Sequence, residues 1–160
     1  MLLYTIHGGV AVNLRRKGLT VVELLLVIAI LAIMAAIAVP RYVDMAAQRE
    51  LDAAAGQLAG DLQWSMKIAA NSTAYSIVKM MFNNTSPYGY YVVQGESNTL
   101  IRPLYNLPVT IVFPREQTAV IFDVYGKPFS GMDVVVTMLN TRGQSRVVTV
   151  DHLSGQVQIQ

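Results

Sequence analysis

Read by its apolar and polar positions, the chain changes pattern twice. From Leu24 to Val39 no residue is polar. Counted from Leu19, the run is 21 residues, which as a helix rises roughly 30 Å, about one hydrocarbon core. Past Pro40, apolar residues recur at Ala47, Leu51, Ala54, Leu58, Leu62, Met66 and Ala69. Steps of three and four put them on one stripe of an amphipathic helix. Gln48, Asp52, Gln57, Asp61 and Gln63 take the other faces. The two patterns predict one helix of about 50 residues, on the order of 75 Å long, that ends near Asn71-Ser72. Pro40 sits at the join, where it removes one backbone hydrogen bond and favours a kink.

The remainder alternates on a shorter period. AYSIVKMMF, YGYYVVQ, NTLIRPLY, VTIVF, TAVIFDV, DVVVTML, SRVVTVD and QVQIQ are rich in β-branched and aromatic residues. Turn residues separate them at Asn83-Asn84, Gly95, Tyr125-Gly126-Lys127-Pro128, Thr141-Arg142-Gly143 and Leu153-Ser154-Gly155. Short strands joined by tight turns predict an antiparallel sheet, one face of which accepts the helix stripe. The expected class is α+β: a lollipop whose long N-terminal helix packs its second half on a C-terminal antiparallel β-sheet. Gly56 and Gly60 are four apart in the helix, where each costs up to about 1 kcal/mol against alanine. Close approach of the helix to its own sheet is the expected reason, ahead of approach to a neighbouring helix.

Charge refines this division. The net charge is +2, with 53% hydrophobic and 14% charged residues. Three of the twelve basic residues are Arg15, Arg16 and Lys17, and beyond residue 18 nine basic side chains face ten acidic ones. The basic balance therefore belongs to the N-terminal stretch and gives no support to nucleic-acid binding by overall charge. Basic residues just before an apolar run also place its N-terminus in the cytoplasm and the bulk of the chain outside. The absence of cysteine excludes disulfides and thiolate chemistry.

Candidate chemistry is sparse. His152 is the one histidine beyond residue 18, and in a turn it reads as a solvated loop residue. No phosphate loop, metal spacing or nucleophile elbow is present. Asp44, Glu50, Asp52 and Asp61 read as a solvated helix face. No catalytic residue, metal site or cofactor is expected, and the chain reads as a non-enzyme. Lys127, Arg142 and Arg146, with Arg115, are weak candidates for DNA contact. The sequons at Asn71 and Asn83 read as chance matches in asparagine-rich turns.

Glu23, inside the start of the greasy run, needs a separate reason. An ordinary secretory signal, cut near Ala36-Ile37-Ala38, explains the basic end and the apolar run. It leaves the acid and the continuing helical phase unexplained. The segment Arg-Arg-Lys-Gly-Leu-Thr-Val-Val-Glu, with the apolar run and Pro40, closely resembles the class III leader of type IV pilins and type II secretion pseudopilins. The resemblance implies that prepilin peptidase removes residues 1–18 between Gly18 and Leu19 and methylates Leu19. Leu19 stands where phenylalanine or methionine is more usual. Glu23 becomes the fifth residue and Pro40 the twenty-second of the processed chain, matching the family's glutamate and the proline of many members.

Domains then follow as 1–18 leader, 19–40 transmembrane and assembly helix, 41–72 amphipathic helix and 73–160 β-rich head. The later segments are similar to minor pseudopilins of the GspH/FimT type. Implied partners are the peptidase and N-methyltransferase, other pilin or pseudopilin subunits, an inner-membrane assembly platform, and membrane lipid before assembly. Residence in the bacterial inner membrane precedes entry into a pilus or pseudopilus. Two alternatives stand beside a structural subunit: a minor pilin that binds DNA for uptake, and an unrelated secreted or signal-anchored protein.

Overall fold

The computed structural model describes residues 20–72, 77–83, 85–112 and 119–160. Helix α1 spans Val21–Ala70 and holds Pro40 in its interior without a break in the helix. Eight strands follow: β1 Val78–Asn83, β2 Gly89–Gln94, β3 Thr99–Asn106, β4 Thr110–Val112, β5 Ala119–Phe122, β6 Val134–Leu139, β7 Ser145–Val150 and β8 Val157–Ile159. Each coincides with one of the eight β-rich stretches read from the sequence, with β1 and β3 running one residue further, to Asn83 and Asn106. The chain divides into two units, Met1–Val39 and Pro40–Gln160.

In the first unit the described residues are the start of α1, and every side chain from Val21 to Val39 is exposed. By length and composition this helix is able to cross a membrane.

In the second unit the single expected sheet is two antiparallel four-stranded sheets. Sheet A has the order β3-β2-β1-β5 and sheet B the order β4-β6-β7-β8. One hydrophobic cluster joins the helix to both. It contains Leu51, Leu58 and Leu62 from α1, Val78, Met80, Val92 and Phe122 from sheet A, and Val136, Met138, Val148 and Val150 from sheet B. Full burial of each such side chain is worth about 1.5–3 kcal/mol, so the two inner faces and the helix stripe hold the unit together without disulfides.

The helix stripe is broader than the sequence pattern suggested. Ala55, Ala59, Asp61 and Ser65 are buried beside Ala47, Leu51, Ala54, Leu58, Leu62 and Ala69, while Met66 is half-buried. Two turns close on Met66. Gly126 has φ +74°, and a Cβ there would stand 2.7 Å from the Met66 carbonyl oxygen. Gly155 has φ +70°, and its Cβ would stand 2.9 Å from Met66 Cε. At Gly126 both the backbone and the nearby carbonyl require glycine, while at Gly155 the positive φ does, since the Met66 methyl can give way.

Two expectations are corrected. Asp61 is not on a solvated face; it is 4% exposed and fully partnered, as described below. Gly56 and Gly60 do not approach the sheets. Both are exposed, and a Cβ added to either meets nothing within 4 Å. The outer side of the helix carries them.

Candidate functional site

Helix α1 begins with a capping box. Thr20 is the N-cap: its hydroxyl accepts a hydrogen bond from the Glu23 amide at 3.2 Å. In return the Glu23 carboxylate accepts from the Thr20 amide at 2.9 Å and from the Thr20 hydroxyl at 3.1 Å. The pattern Thr-x-x-Glu satisfies donors that the first helical turn leaves without partners. Its negative charge also lies at the positive end of the helix dipole. All three bonds to the pair's oxygens leave Glu23 Oε1 to a further donor, because the two accepted by the carboxylate both use Oε2. The sequence reading singled out Glu23 and missed Thr20, although Thr-x-x-Glu before an apolar run is itself a helix-start signal.

Pro40 lies inside α1; it has no N–H to give the Ala36 carbonyl. Gly18, Leu19, Arg15, Arg16 and Lys17 lie outside the described residues, as does Arg115.

The weak DNA-contact candidates are placed by the head. Arg146 Nε lies 2.7 Å from Asp52 Oδ1, and Arg142 Nε lies 3.2 Å from Asp44 Oδ1. Both arginines thus spend their charge on carboxylates of α1. Lys127 is exposed in the β5–β6 turn, where the Asp123 carboxylate accepts its backbone amide at 2.8 Å. The structure does not gather the three into one basic patch by any shared contact.

His152 is tied down instead of free in solvent. Its Nδ1 and its backbone amide both bond Asp133 Oδ1, at 2.7 and 3.0 Å. These bonds hold the Asp133 carboxyl below the usual range. Asp151 is lowered as well, because it accepts bonds from the Ser154 amide and hydroxyl and the Leu153 amide. Among the described residues, no three His, Asp or Glu side chains gather to hold a metal.

The buried polar centre of the second unit is Asp61. Its Oδ2 accepts from Tyr90 Oη at 2.6 Å and Gln57 Nε2 at 3.1 Å, and its Oδ1 meets Arg102 Nη1 at 2.9 Å. Arg102 also lies over the Trp64 ring, 5.4 Å from its centroid. Burial, reinforced by the bond to Asp61, pushes the Tyr90 hydroxyl pKa strongly upward. The cluster links α1 to β2 and β3, so it secures the helix on sheet A.

Against known proteins, residues 13–39 match the family described as the prokaryotic N-terminal methylation motif. The fold is similar to that of the type IV minor pilin FimU of Pseudomonas aeruginosa strain PAO1. One crystal form superposes with a TM-score of 0.56 at 17% identity, covering 71% of this chain and 90% of that one. A second form gives 0.54 at 17% identity, with 69% and 92% covered. The chain thus shares the N-terminal methylation motif with that family over residues 13–39 and the pilin fold with FimU. No curated protein matches the chain in sequence. The likeness to FimU carries the pilin fold; the methylation motif carries the N-terminal segment.

Proposed function

We propose that the chain is a structural subunit, a minor pilin or pseudopilin, that assembles through its N-terminal helix. Prepilin peptidase cuts between Gly18 and Leu19 and methylates the new Leu19 amine. The subunit waits in the inner membrane with its N-terminus cytoplasmic and its head outside. It then joins a pilus or secretion pseudopilus on an assembly platform.

The observation that carries this reading is the exposed apolar helix with a held acid at its start. Leu24, Leu25, Ile28, Leu31, Ile33 and Ile37 all face outward, and each is worth about 1.5–3 kcal/mol once removed from water. Lipid and a helix bundle both supply that removal. An acid placed mid-bilayer costs about 2.5–3.5 kcal/mol on insertion scales, a small penalty against the whole apolar run and smaller near the interface. In a bundle, however, the carboxylate leaves the interface and needs a partner. The Leu19 amine of a neighbouring subunit, created by cleavage, fits that need.

Mass spectrometry of the N-terminus of the chain expressed in a piliated host tests the processing step. N-methylated Leu19 is expected. A chain that starts near Val39, or one that keeps residues 1–18, contradicts the proposal.

A further inference from the structure

An antiparallel sheet with its inner face on a core normally turns a polar face to water. Sheet B follows the rule in part: Thr137, Thr149 and Gln158 stand among the outward positions of β6, β7 and β8. Sheet A does not. Its pairing aligns Leu100, Val93, Lys79 and Ile121 across β3, β2, β1 and β5, with Tyr91, Met81 and Ala119 in the next row. On this outer face Leu100 is exposed, Lys79, Met81, Tyr91, Ala119 and Ile121 are half-buried, and Val93, beside a register shift in β2, is buried at the floor. Lys79 is the single charge in the two rows, and its Nζ is drawn to Asn98 Oδ1 at 3.1 Å. A depression of about 510 Å³ opens here, and a second of about 490 Å³ adjoins it through Tyr91 and Leu100.

The same head carries a complementary projection. The β5–β6 and β7–β8 loops are joined by the His152–Asp133 bonds. Gly126 O also lies 3.9 Å from where a Gly155 Cβ would stand. Tyr125, Phe129, Met132 and Leu153 project from these two loops and are between 65% and 79% exposed. The two loops carry Asp123, Asp133 and Asp151 against Lys127, and Lys67 of α1 lines a hollow with Tyr125 and Lys127. Turn amides hold all three carboxylates in place, and the Asp133 and Asp151 side of the loops is acidic.

Resting on the assembly reading above, we propose that the outer face of sheet A receives the Tyr125–Met132 and Leu153 loops of a second copy of this chain. Apolar side chains meet an apolar depression, and the acidic rim of the loops meets Lys79. Exposed apolar side chains gathered on one projection, as on these loops, mark an interaction site, and an apolar depression is the surface that can cover them. Face and loops are different surfaces of one chain, so the contact is heterologous and propagates instead of closing into a pair. That is the symmetry a filament subunit requires.

The absence of native cysteine makes disulfide mapping clean. Two differently tagged full-length chains, Leu100→Cys and Leu153→Cys, are co-expressed in the membrane of a host that assembles pili and oxidised. Both sites are exposed, so neither change disturbs the core. Expected is a mixed dimer on a non-reducing gel, lost when Tyr91→Glu, which removes the apolar ring and repels the acidic loops, is added to the Leu100→Cys chain. A Thr137→Cys chain on sheet B gives no mixed dimer with Leu153→Cys. Absence of the 100–153 product, or like-with-like dimers in its place, overturns the proposal. A parallel Leu25→Cys chain reports on helix bundling: if it cross-links while 100–153 does not, the sheet contact alone is wrong. If neither cross-links, the assembly reading falls as well.

Discussion

Asp61 brings together three donors, from Gln57, Tyr90 and Arg102, and the consequences of removing each differ. Tyr90→Phe takes away one bond and leaves the carboxylate with two partners. A loss of about 1–2 kcal/mol is expected. Asp61→Ala strands the buried Tyr90 hydroxyl and unpairs Arg102, and about 2–4 kcal/mol is expected. That lies toward the low end of the range for a fully buried pair, because the Arg102 side chain keeps 32% of its surface in solvent. Urea unfolding in detergent, followed by Trp64 fluorescence, measures both; equal effects would contradict this account of the cluster. The exposed carboxylates Asp133 and Asp151 make a separate prediction. Their folded pKa values are depressed by loop hydrogen bonds, so what they add to stability is present above the free-aspartate value of about 3.9 and is lost as pH falls through the folded values. Carbon-detected NMR titration should place both midpoints below that value; midpoints at or above it would show that the loop bonds do not form.

For the helix, the exposed glycines give a direct test. Since a Cβ at Gly56 or Gly60 meets nothing within 4 Å, Gly56→Ala and Gly60→Ala should each stabilise the isolated subunit by about 0.5–1 kcal/mol through backbone entropy and helix propensity. Destabilisation in the same urea assay would mean that the helix approaches a sheet there. The elements themselves were legible in the sequence: steps of three and four gave the helix stripe, and short alternating runs between glycine turns gave the strands. Their division into two sheets was not. Local alternation says which residues share a face, but β1 pairs with both β2 and β5, and that choice is made by contacts distant in sequence. Asp61 was misread for the same reason, because Tyr90 and Arg102 come from strands that no local pattern links to it. Thr20 was different. The Thr-x-x-Glu signal was local and readable, and attention to the acid's function hid its role as a cap.

At the scale of the whole molecule, the described residues present the start of α1, the loops bearing Tyr125, Phe129, Met132 and Leu153, and the apolar depression on sheet A as surfaces that water does not favour. The first sets the assembly account, and it turns on what Glu23 does. The capping box offers a competing explanation, since Glu23 already stabilises the first helical turn through Thr20. Glutamine serves at the same capping position but carries no charge to meet an amine. The decisive measurement is therefore incorporation of Glu23→Gln into filaments or pseudopili, with Glu23→Val beside it, each quantified against subunit retained in the membrane. The account predicts that both variants are processed and inserted, and that both fall sharply in incorporation. Glu23→Gln incorporating as well as the native chain, while Glu23→Val fails, would contradict it: the carboxylate would then be a helix cap and not a docking charge.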